Sequence, residues 1–281
     1  MFLWVKLVLN SLLKGLDLDD DFEDFAKRLR CLPRGLEELY THMLKTIDPP
    51  FYLEEAAMFF EIFRTARQGQ RMAMIETGGD EWSGGVMSLA TLALADRKNL
   101  NLLSQHDAMD SRDGFLASLC RQTENRLKSR CMGLLEVSGA HRKLSGNHSV
   151  SYIHRTFRDF LERPQVRIMI RDCIEDENFS TTLSLIQSYI FYLQLTLANV
   201  ITSPPLGVWQ SVQLSMIYAS MTEANCIDQL CLLLDQLDSI MANNQKKYDG
   251  SDLHWSTERV LHGNGIDFSG RENDTFLSFC I

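Results

Sequence analysis

Val150-Ser151-Tyr152-Ile153-His154-Arg155-Thr156-Phe157-Arg158-Asp159-Phe160-Leu161 changes rhythm at its histidine. Residues 150–154 read as a strand, and residues 155–161 take up the three- and four-residue apolar spacing of a helix. Upstream, residues 132–137 read as another strand. The segment between the two, with Gly139, Gly146 and Asn147, supplies the turn that makes them a hairpin. Before the hairpin, residues 113–130 read as a helix. Leu116, Leu119, Cys120, Thr123 and Leu127 form one stripe, while Arg121, Glu124, Arg126, Lys128 and Arg130 lie mostly on the other side. A short Leu- and Ala-rich helix over residues 87–95 precedes that one.

Helix, helix, two-stranded wing, helix is the order of a winged-helix domain, a variant of the helix-turn-helix, here over residues 86–164. Apolar periodicity places helices on both sides. Ahead of it, Asp19 to Asp21 supply cap oxygens and first-turn charge for a helix with Phe22, Phe25, Ala26 and Leu29 in phase, ended by Leu32-Pro33. Leu36, Leu39, Tyr40, Met43, Leu44 and Ile47 mark the next helix, stopped by Pro49-Pro50. Ala56, Phe59, Phe60 and Phe63 mark a third, expected to end near Arg67, with a polar surface loop from Gly69 to Gly85. Beyond Pro164, residues 181–200 are apolar on nearly all sides, as in a helix buried within a helical stack. Residues 208–222 and 224–241 read as further helices. The expected fold is therefore mainly α: a helical bundle over residues 1–70, the winged-helix domain, a C-terminal helical extension over 165–243, and a loop or linker over 244–281 that ends in the first turns of another helix. The apolar opening, residues 2–16, is interrupted by Lys6, Asn10, Ser11 and Lys14. It suits neither a membrane span nor a secretory signal, and reads as a buried helix. Both ends read as cut from something longer.

At 281 residues the chain can build one large or two ordinary domains. Lys and Arg number 28 against 37 Asp and Glu, a net of −9, which argues against a whole-surface polyanion binder. The charge is uneven. Residues 113–171 carry eleven basic and five acidic side chains, and residues 223–281 carry four and ten. Seven cysteines, an odd number without close pairing, do not make a disulfide framework. They point to a reducing compartment, the cytoplasm.

Little in the chain is marked for chemistry. Gly79 to Val86 has the two glycines of a phosphate loop, but Gly85 and Val86 stand where Lys and Ser or Thr are required. Asp17, Asp19 and Asp21 begin like a calcium loop, yet Phe22 replaces its glycine and Arg28 its closing Glu. Cys226 and Cys231 with His254 and His262 make a poor zinc set, because residues five apart on a helix share a face badly. No nucleophile elbow is present. No catalytic residue and no metal ligand is therefore assigned. His154 is the exception to this blandness. It falls at a strand-to-helix corner, where backbone donors and the helix dipole favour an anion, although a capping histidine with a structural role is the ordinary reading of such a residue.

At these residues the sequence resembles the fungal NACHT-type STAND NTPases, relatives of the NOD-like receptors. FLWVKLVLNSLLKGL followed by LRCLPRGLEELYTHMLKTIDPPFYLEEAAMFF is similar to the segment after their nucleotide-binding domain. SYIHRTFRDFLERPQV is similar to the Phe-x-His-x-x-x-x-Asp/Glu-Phe-Leu signature that closes their winged helix. The resemblance covers about residues 1 to 240. It implies that His154 contacts the β-phosphate of ADP and holds such a receptor closed. The phosphate loop and magnesium-binding strand of the family are not in this sequence. The chain by itself is thus expected to be no enzyme and to bind no cofactor, with ADP or ATP entering only in a full-length parent. Its expected partners are a nucleotide-binding domain or further copies in a STAND assembly, with no membrane. Nucleic acid is the weaker alternative: Arg121, Arg126, Lys128 and Arg130 with Arg142 and Lys143 could form the phosphate-contacting face of a DNA-binding winged helix.

Overall fold

The computed structural model describes residues 2–16, 19, 21–47, 49–77, 87–96, 112–138, 148–198 and 207–248. In order along the chain come α1 (Phe2–Leu16), α2 (Phe22–Cys31), α3 (Leu36–Lys45), a π-helical turn (Pro49–Leu53), α4 (Glu54–Thr77), β1 (Met87–Ser88) and α5 (Leu89–Ala95). They are followed by α6 (Arg112–Arg130), β2 (Leu135–Val137), β3 (Ser149–Tyr152), α7 (Arg155–Leu161), α8 (Pro164–Arg171), α9 (Thr181–Leu197), α10 (Val208–Ser220), a 3-10 turn (Ala224–Cys226) and α11 (Ile227–Tyr248). The chain is mainly helical, as its periodicity requires, with one small antiparallel sheet among the described residues.

The sheet holds three strands where the sequence pattern gave two. Its order is β1-β3-β2, and Met87 pairs with Val150 and Ser88 with Ser149. Two residues are too few for alternation to register, so from the sequence Met87-Ser88 reads as the start of a helix. The expected hairpin is present: Ser138 N–H donates to the Ser149 carbonyl at 2.9 Å, and Ile153 N–H to that of Leu134 at 3.1 Å. The tip of its turn, residues 139–147, lies outside the described residues, as do Arg142 and Lys143.

The chain divides into two compact units. The first comprises Met1–Ala57, Arg126–Glu136 and Tyr152–Glu175, the second Met58–Asn125, Val137–Ser151 and Asp176–Ile281. In the first, α3 packs on α7 and α7 on α8, burying Leu39, Tyr40, Met43, Leu44, Phe157, Phe160 and Leu161. Helix α1 is fastened by the Trp4 indole N–H donating to the Pro33 carbonyl at 2.8 Å. Only one face of α1 meets the expectation of a buried helix. Leu7 and Val8 are buried, but Val5, Leu9 and Leu13 are 42, 52 and 56% exposed. Pro49-Pro50 do not hold the chain out of helix for long, because proline is tolerated in a first turn and the π turn runs straight into α4.

In the second unit α9 packs against α5, α10 and α11, which explains why its sequence is apolar all round. All seven residues of α5 are buried, and Ser88 caps it by accepting from Thr91 N–H. Two serine hydroxyls within this core are satisfied locally: Ser188 and Ser215 donate to the carbonyls of Leu185 and Ser211. Helix α4 does not end near Arg67 but runs to Thr77, through the glycine where a loop was expected. A Cβ built on Gly69 would lie 2.3 Å from Cε1 of Tyr218, so glycine here admits a ring instead of breaking the helix. Helix α11 likewise continues past Met241 to Tyr248. Residues 249–281 lie outside the described residues.

Candidate functional site

His154 is the N-cap of α7, with extended backbone (φ −164°, ψ 156°) that leaves its side chain free to turn back over the first turn. Its Nδ1 accepts from Thr156 N–H at 3.2 Å and lies 3.0 Å from Thr156 Oγ1. Histidine thus does here what Ser, Thr, Asp or Asn does at most caps. The carbonyl of His154 takes two further donors, the N–H groups of Phe157 at 3.1 Å and Arg158 at 3.4 Å. The first turn is in this way largely satisfied by His154 itself. The backbone donors of Thr156, Phe157 and Arg158 at this corner are occupied, and the imidazole is exposed to meet a ligand.

Behind the cap a hydroxyl chain leads into the interior. Tyr40 Oη lies 2.8 Å from Thr156 Oγ1. Nδ1 already acts as an acceptor, so a consistent direction runs from Tyr40 O–H to Thr156 Oγ1 and from Thr156 O–H to His154 Nδ1. The ring proton then sits on Nε2. Burial raises the Tyr40 phenol above its ordinary value, with the Thr156 hydrogen bond pulling it partly back. The Tyr40 ring is held by aromatic neighbours, edge-on to Phe157 at 5.0 Å and tilted against Phe160 at 5.4 Å. Tyr152 meets Phe157 edge-on at 5.8 Å. The sequence motif therefore splits by side. Phe157, Phe160 and Leu161 are core, whereas His154, Arg155 and Asp159 are exposed.

Residues 46–204, more than half of the chain, match a family described as Domain of unknown function (DUF7791). The chain belongs to the DUF7791 family. No curated protein and no solved structure matches it. The matched DUF7791 region contains His154 and Thr156, while α1 to α3, and Tyr40 with them, precede it.

Other candidates from the sequence fare differently. Arg126 and Arg130, two cations of the would-be nucleic-acid face, turn to the buried carboxylate of Glu55. Arg130 donates to Glu55 Oε1, and Arg126 Nε lies 3.6 Å from the same oxygen. The Arg130 guanidinium also stands over the Tyr52 ring, 5.1 Å from its centroid. Arg121 and Lys128 remain exposed. Cys226 is half-buried and Cys231 exposed, and no group of three potential metal ligands occurs among the described residues. The Gly79 to Val86 segment, His254 and His262 lie outside them. No helix among the described residues is long and apolar enough to cross a membrane. Sequence reasoning missed Tyr40 and Thr156 as supports of His154. Tyr40 registered only as one apolar position among six on α3, and its partner is 116 residues away.

Proposed function

We propose that this chain is a non-catalytic regulatory and assembly element of a NACHT-type STAND signalling NTPase. In this reading His154 donates from Nε2 to the β-phosphate of ADP held by a nucleotide-binding domain. The observation that carries it is the state of the imidazole: exposed, with Nδ1 engaged as an acceptor, so that Nε2–H is left as a donor. A donor at a fixed corner stabilises one nucleotide state by a contact the other lacks, which is what a switch requires. We read residues 86–164 as a winged helix, supported by the sheet order β1-β3-β2 with α5 and α6 between β1 and β2. The chain alone binds no cofactor, and ADP or ATP enters only in a longer polypeptide that carries a phosphate loop. Its place in the cell is the cytoplasm.

The DNA-binding alternative has less support, because Arg126 and Arg130 are both drawn inward to the buried carboxylate of Glu55. The test is nucleotide release from the polypeptide that joins this chain to a phosphate-loop domain. Wild-type protein retains ADP through purification. His154→Ala releases it about ten- to a hundredfold faster, the loss expected for a hydrogen bond to a charged group worth about 1.5–3 kcal/mol. Equal release rates reject the assignment, and a salt-sensitive shift of duplex DNA by this chain favours the alternative.

A further inference from the structure

Helices α8 and α11 each carry charge of one sign. Helix α8 has Arg167 and Arg171 and no acid, while α11 has Asp228, Asp235 and Asp238 and no base before Lys246. A helix face kept for water usually alternates its signs. Neither of these does, and their signs are opposite.

Each helix also holds an aliphatic side chain in water, on the same face as its charges. Ile168 is 61% exposed on α8, whose buried residue is Ile170. Leu232 is 70% exposed on α11, away from the buried Leu230, Leu234, Leu237 and Met241. Residues three and four apart are neighbours on a helix surface. Arg171 therefore lies beside both Ile168 and Arg167, and Asp228 and Asp235 flank Leu232 on either side. Arg167 marks the α8 face as incomplete. It is half-buried, its Nε is closed to water without a hydrogen-bond partner, and it forms no ion pair among the described residues. Asp228 and Asp235 are exposed and equally without an ion pair there.

From this complementarity we propose that α8 of one copy of the chain docks on α11 of another, with Ile168 against Leu232 and Arg167 and Arg171 meeting Asp228 and Asp235. The aliphatic pair forms a dry centre, and the charges around it choose the partner face. Pairing α8 with α8, or α11 with α11, would set like charges together. The contrast between basic residues 113–171 and acidic residues 223–281 acts in the same sense at longer range, drawing unlike regions of two copies together. One helix face on each side stays at the small end of the interface range, below about 1,200 Å², so the association is weak and reversible. It is strongest at low ionic strength, where exposed charges are least screened. The proposal does not rest on the role given to His154, and its test reads mass and not nucleotide.

The test is sedimentation equilibrium of the full chain at low ionic strength and rising concentration, with circular dichroism to check each variant's fold. The wild-type mass should climb above that of the monomer and return to it in high salt. Ile168→Asp and Leu232→Lys, both at exposed positions, should each stay monomeric with unchanged helix content. The sharpest variants reverse charge: Arg167→Glu with Arg171→Glu in one protein, and Asp228→Lys with Asp235→Lys in another. Each alone should be monomeric. Mixing the two, or placing all four changes in one chain, should restore the climb in mass. A wild-type chain that is monomeric at every concentration overturns the proposal. So does association indifferent to the Ile168 and Leu232 changes, or a pair of charge variants that fails to associate when mixed.

Discussion

Tyr40 and Tyr218 are both wholly buried, each in contact with aromatic side chains of its own unit, yet their hydroxyls lead to different ends. Tyr218 stacks on Tyr189 at 5.8 Å and donates to the Ala66 carbonyl at 3.2 Å, so its polar atom closes on backbone inside the second unit. Tyr40 passes its hydrogen bond to Thr156, and through it to an exposed imidazole. The same residue type, equally buried, acts in one place as a packing wedge and in the other as the root of a surface group. A buried polar atom is explained by where its hydrogen bonds end, and burial alone does not distinguish structure from function.

The largest effect expected of this contrast comes from truncating the ring on which the Tyr40 cluster rests. Phe157→Ala should cost about 3–5 kcal/mol in urea unfolding, as for other large aromatic-to-alanine changes in a core. A loss under about 1 kcal/mol would mean that the cluster is not the core of the first unit. In the second unit the sharper probe is Gly69→Ala. Alanine is the better helix former by about 1 kcal/mol, but its methyl collides with the Tyr218 ring, and overpacking costs about 1–3 kcal/mol. Net destabilisation in thermal unfolding is expected. A stabilised variant would show that the ring yields cheaply and that the close approach is incidental.

A milder comparison uses pH. Burial raises the Tyr189 and Tyr218 phenols above the ordinary value of 10.0, Tyr218 well above it. Groups raised on folding contribute stability that is complete below the unfolded value and is lost as pH climbs through the folded one. Stability should therefore fall as pH rises beyond about 10. In a spectrophotometric titration these two phenols should ionise only together with the loss of far-ultraviolet helix signal. Their ionisation in a still-helical chain would contradict the packing described for Tyr218.

Much of this was legible in the sequence, for reasons that particular residues make plain. The corner at His154 could be read because strand and helix periods meet there within a few residues. Helix α9 could be read because a helix enclosed by α5, α10 and α11 has no polar face to keep. Gly69 could not, since the reason for a glycine in mid-helix is Tyr218, far along the chain. Strand β1 was too short to carry a period. The support of His154 was hidden in the same way, because a tyrosine on an apolar stripe gives no sign of the threonine its hydroxyl will meet. Periodicity reports that a face is apolar and is silent on what covers it, as the exposed residues of α1 and α2 illustrate.

The cap at the start of α7 leaves the His154 ring at the surface with its proton on Nε2. Nitrogen-15 NMR of histidine-labelled protein, with His154 assigned by its loss in His154→Ala, reads that tautomer directly. In the neutral ring a bare Nδ1 and a protonated Nε2 are expected, with a drift toward mixed tautomers when Thr156→Val or Tyr40→Phe cuts the hydroxyl chain. A proton found on Nδ1 in the wild-type chain, or a mixture that neither substitution alters, would contradict it.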